Sequence, residues 1–166
     1  MEVKPDLPKF SKKDFDLKKW RLEVSGLVDH PRSLEHRDLL GMPKVSLTDD
    51  FQCLEGWVVK DILWEGVKLS AVLGLVGINP EARFVRLASD DFTVVLPRDR
   101  AFEDTTILAL RKGGAALDEY HGGPVRLILR GQECYESVKS VNKIDVLKVI
   151  EEGTAARIAL SRLENR

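Results

Sequence analysis

Cysteine is scarce in this chain: the 166 residues contain two, Cys53 and Cys134, far apart and in no CxxC or CxxCH spacing. That excludes a zinc ribbon, a thioredoxin-like redox pair and a c-type haem attachment. Long apolar runs are also missing. No stretch approaches the roughly 18 uninterrupted apolar residues of a membrane span, and the opening Met1-Glu2-Val3-Lys4-Pro5-Asp6-Leu7-Pro8 lacks the apolar centre of a signal peptide. The expectation is a cytoplasmic protein with no membrane partner. Charge of one sign is lacking too. With a formal net charge of −1 there is no overall pull toward nucleic acid, so any polyanion site must be local. Internal repeats and low-complexity tracts are absent.

What is present is an ordinary globular composition, 43% hydrophobic and 32% charged, in a length that suits one domain. Residues 1–16, rich in Lys, Asp and Pro, read as an extended N-terminal arm with no fold of its own, and residues 17–166 as the domain. Trp20, Leu22 and Val24 alternate with polar residues before Gly26, as on a half-buried strand. Ser33 is placed to cap a short helix through Leu34, Leu39 and Leu40 that ends at Gly41 and Pro43. Val45, Leu47, Phe51 and Cys53 share one face of the next extended run, which puts Cys53 near a strand end, facing inward.

Further strands are predicted at 57–64, 84–88, 92–96 and 125–129, and a helix at 70–76 closed by Gly77 and the Asn79-Pro80 turn. A helical turn is predicted at 99–102 and a last helix after Thr154. Short strands with a few short helices and no βαβ rhythm give an α+β fold, mixed and mainly β.

Three segments could carry chemistry. Cys53 is followed by the polar, glycine-containing Leu54-Glu55-Gly56, which suggests a strand ending at a cavity. In His121-Gly122-Gly123-Pro124-Val125-Arg126 two glycines permit close backbone approach to a ligand, and proline stiffens the turn into the strand that carries Arg126. In Ser137-Val138-Lys139-Ser140 an ammonium, hydroxyls and backbone N–H groups could hold an anion. Taken singly, these segments better fit a packed thiol, a hairpin connection and a solvated lysine.

In their order and spacing they resemble the sulfite oxidase family of molybdenum enzymes. That family carries an inward cysteine, then a His-Gly-x-Pro-x-Arg loop, then a segment ending Ser-Val-Lys. Supporting matches are Trp20-Arg21-Leu22-Glu23-Val24-Ser25-Gly26, Trp64-Glu65-Gly66-Val67-Lys68-Leu69 and Phe92-Thr93-Val94-Val95-Leu96-Pro97, and the resemblance covers roughly residues 16–149.

The resemblance implies a fold of the sulfite oxidase molybdopterin-binding type and a molybdenum–molybdopterin cofactor. Cys53 would be the metal ligand and catalytic residue, and His121, Gly122, Arg126, Ser137, Val138 and Lys139 would contact the pterin and its phosphate. Asp90 or Asp91 stands near an acidic pterin contact. The implied activity is oxygen-atom transfer to or from a small substrate, with electrons exchanged with a separate carrier.

The sequence departs from the family at several points. The family's Arg-Asn-His segment has no match in residues 1–16, where Lys4, Lys9, Lys12 and Lys13 are the available cations. Arg130 replaces a proline, Cys134 a glycine and Ser140 a tryptophan, and no sulfite-handling arginine lies beside Cys53, which disfavours sulfite as substrate. These departures motivate a second expectation, a cofactor-free binding module in which Cys53 is a packed thiol. A third, a disulfide between Cys53 and Cys134, is disfavoured for a cytoplasmic chain.

Overall fold

A computed structural model describes residues 1–90 and 92–165. In chain order the elements are β1 (Glu2–Lys4), β2 (Leu22–Gly26), β3 (Arg32–Leu34), α1 (His36–Leu40), β4 (Val45–Gln52), β5 (Trp57–Lys68), α2 (Leu69–Val76), β6 (Phe84–Ser89), β7 (Phe92–Pro97), α3 (Arg98–Ala101), β8 (Thr106–Lys112), β9 (Ala115–Ala116), β10 (Arg126–Leu129), β11 (Lys143–Leu147) and α4 (Ala155–Glu164). A 3-10 turn at Cys134–Glu136 lies between β10 and β11. Mixed sheets with short helices are the α+β, mainly β architecture that the sequence predicts.

The strands form two sheets. One runs β1-β5-β8-β10, with β4 also on β5 and β9 on β8; the other runs β3-β2-β11-β6-β7. Alternation explains why the first sheet is buried on both faces. On β8, Leu108 and Leu110 enter a core shared with the second sheet and α2, whereas Ile107 and Ala109 face a second core with Phe51, Trp57 and Trp64. β10 divides likewise, Leu127 and Leu129 to the first core and Ile128 to the second. Each such large apolar side chain contributes roughly 2–3 kcal/mol relative to exposure. Gly66 marks a bulge in β5 where a Cβ would come within 2.0 Å of the Leu108 carbonyl oxygen, so no larger residue fits.

Two local expectations are corrected. Ser33 is not a helix cap: it lies on β3 and its hydroxyl donates to Glu23 at 2.6 Å. Glu35 is the cap, and the Asp38 carboxylate accepts its backbone N–H at 2.7 Å. The extended arm is ordered where it docks against the body, since β1 pairs in parallel with β5 at Trp57, Val58 and Val59. The helix after Thr154 forms, but the Thr154 hydroxyl accepts from the backbone N–H of Thr93 at 2.9 Å and does not cap the helix.

Candidate functional site

β4 ends at Gln52, and Cys53 opens the turn into β5. Its N–H donates to the Trp57 carbonyl at 2.9 Å, and its own carbonyl accepts from Gly56 at 3.0 Å. This turn holds Cys53, half-buried, on the wall of a cavity of about 560 Å³. Leu54 and Trp57 share that wall, and the arm supplies the facing one with Leu7, Pro8, Phe10, Ser11 and Lys13. His121, Arg126, Ser137, Lys139, Asp90 and Cys134 line the same space. Cys53 and Cys134 are not joined by a disulfide.

The glycine loop is ordered by Asp118, whose carboxylate accepts the backbone N–H of Tyr120 at 2.9 Å and of His121 at 2.8 Å. It also meets the His121 ring, with Nδ1 3.0 Å from Oδ2. Partial burial pushes the Asp118 carboxyl up, but its bonds to His121 outweigh that and hold it below the ordinary carboxylate range. The other ring nitrogen, Nε2, lies 3.1 Å from the Leu7 carbonyl of the arm. Both His121 nitrogens are therefore engaged within the chain, which makes this residue a brace between loop and arm.

Arg126 is 3% exposed. Its Nε donates to Ser137 Oγ at 2.7 Å and its Nη1 to the His121 carbonyl at 3.1 Å. Its guanidinium centre lies 5.2 Å from the Phe51 ring centroid and 5.4 Å from that of Trp64. Among the described residues no carboxylate forms an ion pair with it. Burial pushes Arg126 down to about 10, with the nearby Cys134 opposing.

Lys139 donates to the Tyr120 carbonyl at 3.1 Å. Burial, followed by the positive charges of Arg126 and Arg162, pushes its ammonium down to about 8, with Asp118 opposing. Gly122, at φ 92°, lets these two cations converge: a Cβ there would lie 2.9 Å from Lys139 Cγ and 3.0 Å from Arg126 Cδ. The two segments are stitched by backbone bonds, Leu127 N–H to the Val138 carbonyl and Val141 N–H to the Val125 carbonyl, both at 2.9 Å.

Of the residues singled out in the sequence, the cavity brings together Cys53, His121, Arg126, Ser137 and Lys139. The Val138 side chain points instead into the first core, fully buried. Gly122 acts from behind Arg126 and Lys139. Asp90 lines the cavity and accepts from Lys13 at 2.8 Å, which holds its carboxyl low; Asp91 lies outside the described residues. Of the four arm lysines only Lys13 lines the cavity, because Lys4 sits over Trp57, Lys9 over Tyr120, and Lys12 pairs with Glu119.

Arg130 is exposed, while Ser140 is buried at φ 53° and donates through Oγ to the Gly123 carbonyl at 2.6 Å. The sequence reading missed Asp118, although an aspartate followed two and three residues later by loop N–H groups is a recognisable turn signal. It also missed Trp64 as a wall of the Arg126 site, and there no local signal exists.

Among the described residues no cluster of three His, Cys, Asp or Glu side chains could hold a metal ion. No helix among them is long and apolar enough to cross a membrane.

The sequence model of the family described as oxidoreductase molybdopterin binding domain matches residues 9–155. The chain is 34% identical over 134 residues to an uncharacterized oxidoreductase, YuiH, of Bacillus subtilis, covering 80% of this chain and 68% of that protein. To the sulfite oxidase of Arabidopsis thaliana it is 28% identical over 173 residues, covering 82% of this chain and 44% of that one. The fold matches the sulfane dehydrogenase SoxCD of Paracoccus pantotrophus with a TM-score of 0.81 at 24% identity, over 87% of this chain and 42% of that chain. The chain thus spans less than half the length of those last two proteins.

Proposed function

The chain belongs to the oxidoreductase molybdopterin binding domain family, of the sulfite oxidase-like kind, and from that premise we propose that it holds a molybdenum–molybdopterin cofactor in the Cys53 cavity and transfers an oxygen atom to or from a small substrate. The observation that carries this reading is Arg126, a buried cation with no carboxylate partner among the described residues, beside a second depressed cation, Lys139. A buried charge without a counter-ion costs several kcal/mol. An anionic ligand in the cavity offsets that cost.

The donor set fits the implied group. A thiol stands at one wall, and arginine, lysine and a serine hydroxyl stand together at another, in a space of about 560 Å³. Cys53 as thiolate is a soft ligand suited to molybdenum, and as the single cysteine ligand it suits a metal that arrives with sulfur ligands of its own. Arg126 can offer parallel N–H donors to a phosphate, and Lys139 a point charge. When bound, the cofactor supplies two-electron oxygen-transfer chemistry.

The protein's own part is to bind and orient. His121 fixes the loop carbonyl that holds Arg126, Gly122 keeps the two cations adjacent, and Phe10, Leu54 and Trp57 line the cavity on the thiol side. The substrate is a small molecule admitted past the arm, and a separate redox carrier exchanges the electrons.

The test is metal analysis by inductively coupled plasma mass spectrometry, with fluorescence of the oxidised pterin, on protein made with molybdate in a host that produces molybdopterin. Near-stoichiometric molybdenum and pterin in the wild type, and loss of molybdenum in Cys53→Ser with unchanged circular dichroism, are expected. If wild type carries neither, the cofactor-free module is the better reading.

A further inference from the structure

The last helix contributes a cation to the cavity that belongs to none of the sequence motifs. α4 spans Ala155–Glu164, and the family match ends at residue 155. Its start is pinned to β7 by a reciprocal pair: Thr93 N–H donates to Thr154 Oγ1 at 2.9 Å, and Thr154 N–H to Thr93 Oγ1 at 3.0 Å. Ala155 is buried, and the helix packs on β7 and on the 3-10 turn at Cys134–Glu136. Its orientation is therefore set by the sheet. Ala159, Arg162 and Leu163 face the cavity.

Arg162 is exposed at the cavity rim, and among the described residues it makes no ion pair. Lys139 feels its charge. Arg126, Lys139 and Arg162 thus form a cationic series from buried floor to open rim. Among the described residues, Asp90 holds Lys13, Glu55 accepts from the Trp57 indole, and Asp118 holds His121. Like charges that converge repel, and a phosphate dianion is the group whose charge and several acceptor oxygens answer two or three of them at once.

We propose that Arg162 is a further binding residue of the cavity, donating beside Lys139 to the phosphate of the bound pterin. The assignment rests on the cofactor reading above. Phosphate is favoured over an anionic substrate because α4 packs on the 3-10 turn that leads into Ser137 and Lys139, and Ser137 holds Arg126, whereas the thiol lies on the β4–β5 turn.

The experiment compares wild type, Arg162→Gln, Arg162→Lys and Arg157→Gln, all made with molybdate in the cofactor-producing host. Arg157 lies on the same helix, is exposed and does not line the cavity, so its variant controls for helix charge. Pterin release is followed by fluorescence. Binding of inorganic phosphate to cofactor-free protein is measured by calorimetry. Arg162→Gln is expected to release pterin and lose phosphate affinity by roughly threefold to tenfold, the range of one partly screened charge-assisted bond. Arg162→Lys should fall between, and Arg157→Gln should match wild type.

Wild type loaded with pterin but a Gln variant unchanged in both assays overturns this inference alone. Unchanged release with a raised KM for an anionic substrate also overturns it, reassigning Arg162 to substrate. Wild type without pterin removes the cofactor reading itself, and this assignment with it.

Discussion

Arg126 Nε donates to Ser137 Oγ at 2.7 Å, across eleven positions of sequence, and this bond joins β10 to the segment that carries Lys139. The hydroxyl is itself buried, so the guanidinium is held from one side by a fixed acceptor and from others by the Phe51 and Trp64 rings. The cation is thus set in place before any ligand arrives, at a cost to the empty fold.

Arg126→Met should expose that cost. Below about pH 10 the guanidinium is charged in both folded and unfolded chains, so its burial penalty is constant through the neutral range. Removing it is expected to stabilise the cofactor-free protein by about 1–3 kcal/mol, net of the bonds to Ser137 and His121, while pterin occupancy falls more than tenfold. Urea denaturation and pterin assay check both. A variant less stable than wild type would mean that the two lost hydrogen bonds outweigh the charge.

Lys139 gives a pH signature. Its folded-state value of about 8 lies below the ordinary lysine value of 10.5, so between these the unfolded chain binds more protons, and stability of the empty protein should rise with pH from 8 toward 10.5. Inorganic phosphate should bind progressively more weakly over the same rise, as the ammonium is lost. Calorimetry at pH 7 and pH 9 tests this, and Lys139→Gln should flatten the difference.

Gly122→Ala would force a Cβ against Lys139 Cγ and Arg126 Cδ at a backbone angle that side chains rarely adopt. A loss of about 1–3 kcal/mol in stability is expected, with weaker phosphate binding because both cations must move. The midpoint of chemical denaturation reports the first effect and calorimetry the second.

Asp118→Ala removes the side-chain acceptor of the Tyr120 and His121 amides and the partner of the imidazole, leaving the His121 amide only the longer bond to the residue 118 carbonyl. Hydrogen exchange at those two amides should accelerate well beyond tenfold, whereas the amides of β10, paired with β8, keep their protection. Equal acceleration across both would show that the loop and the strand open together.

Much of this fold is legible in the sequence where alternation is clean, as in Leu22-Glu23-Val24, and where glycine and proline punctuate, as after Val76. β11 is not. Lys143 and Asp145 obscure its pattern, and it becomes a central strand because Asp145 is satisfied by Arg86 and Ser25. β1 is equally hidden, since Glu2-Val3-Lys4 is held by backbone pairing to β5. At the site, Cys53, His121, Arg126, Ser137 and Lys139 stand out because their residue types form an ordered set. Arg162 does not, because one exposed arginine on a polar helix face resembles any other until α4 is seen against the cavity.

The placement of Arg126 over Trp64 has an optical consequence. When an indole absorbs, electron density shifts across its two rings, so the energy of the light it returns follows the local electric field. Trp64 is nearly fully buried, its ring centroid 5.4 Å from a guanidinium with no carboxylate partner among the described residues. An anion that neutralises this cation changes the field at that ring without touching it. The empty and filled cavities should therefore differ in colour at Trp64, and the protein carries a built-in electrometer for its own occupant.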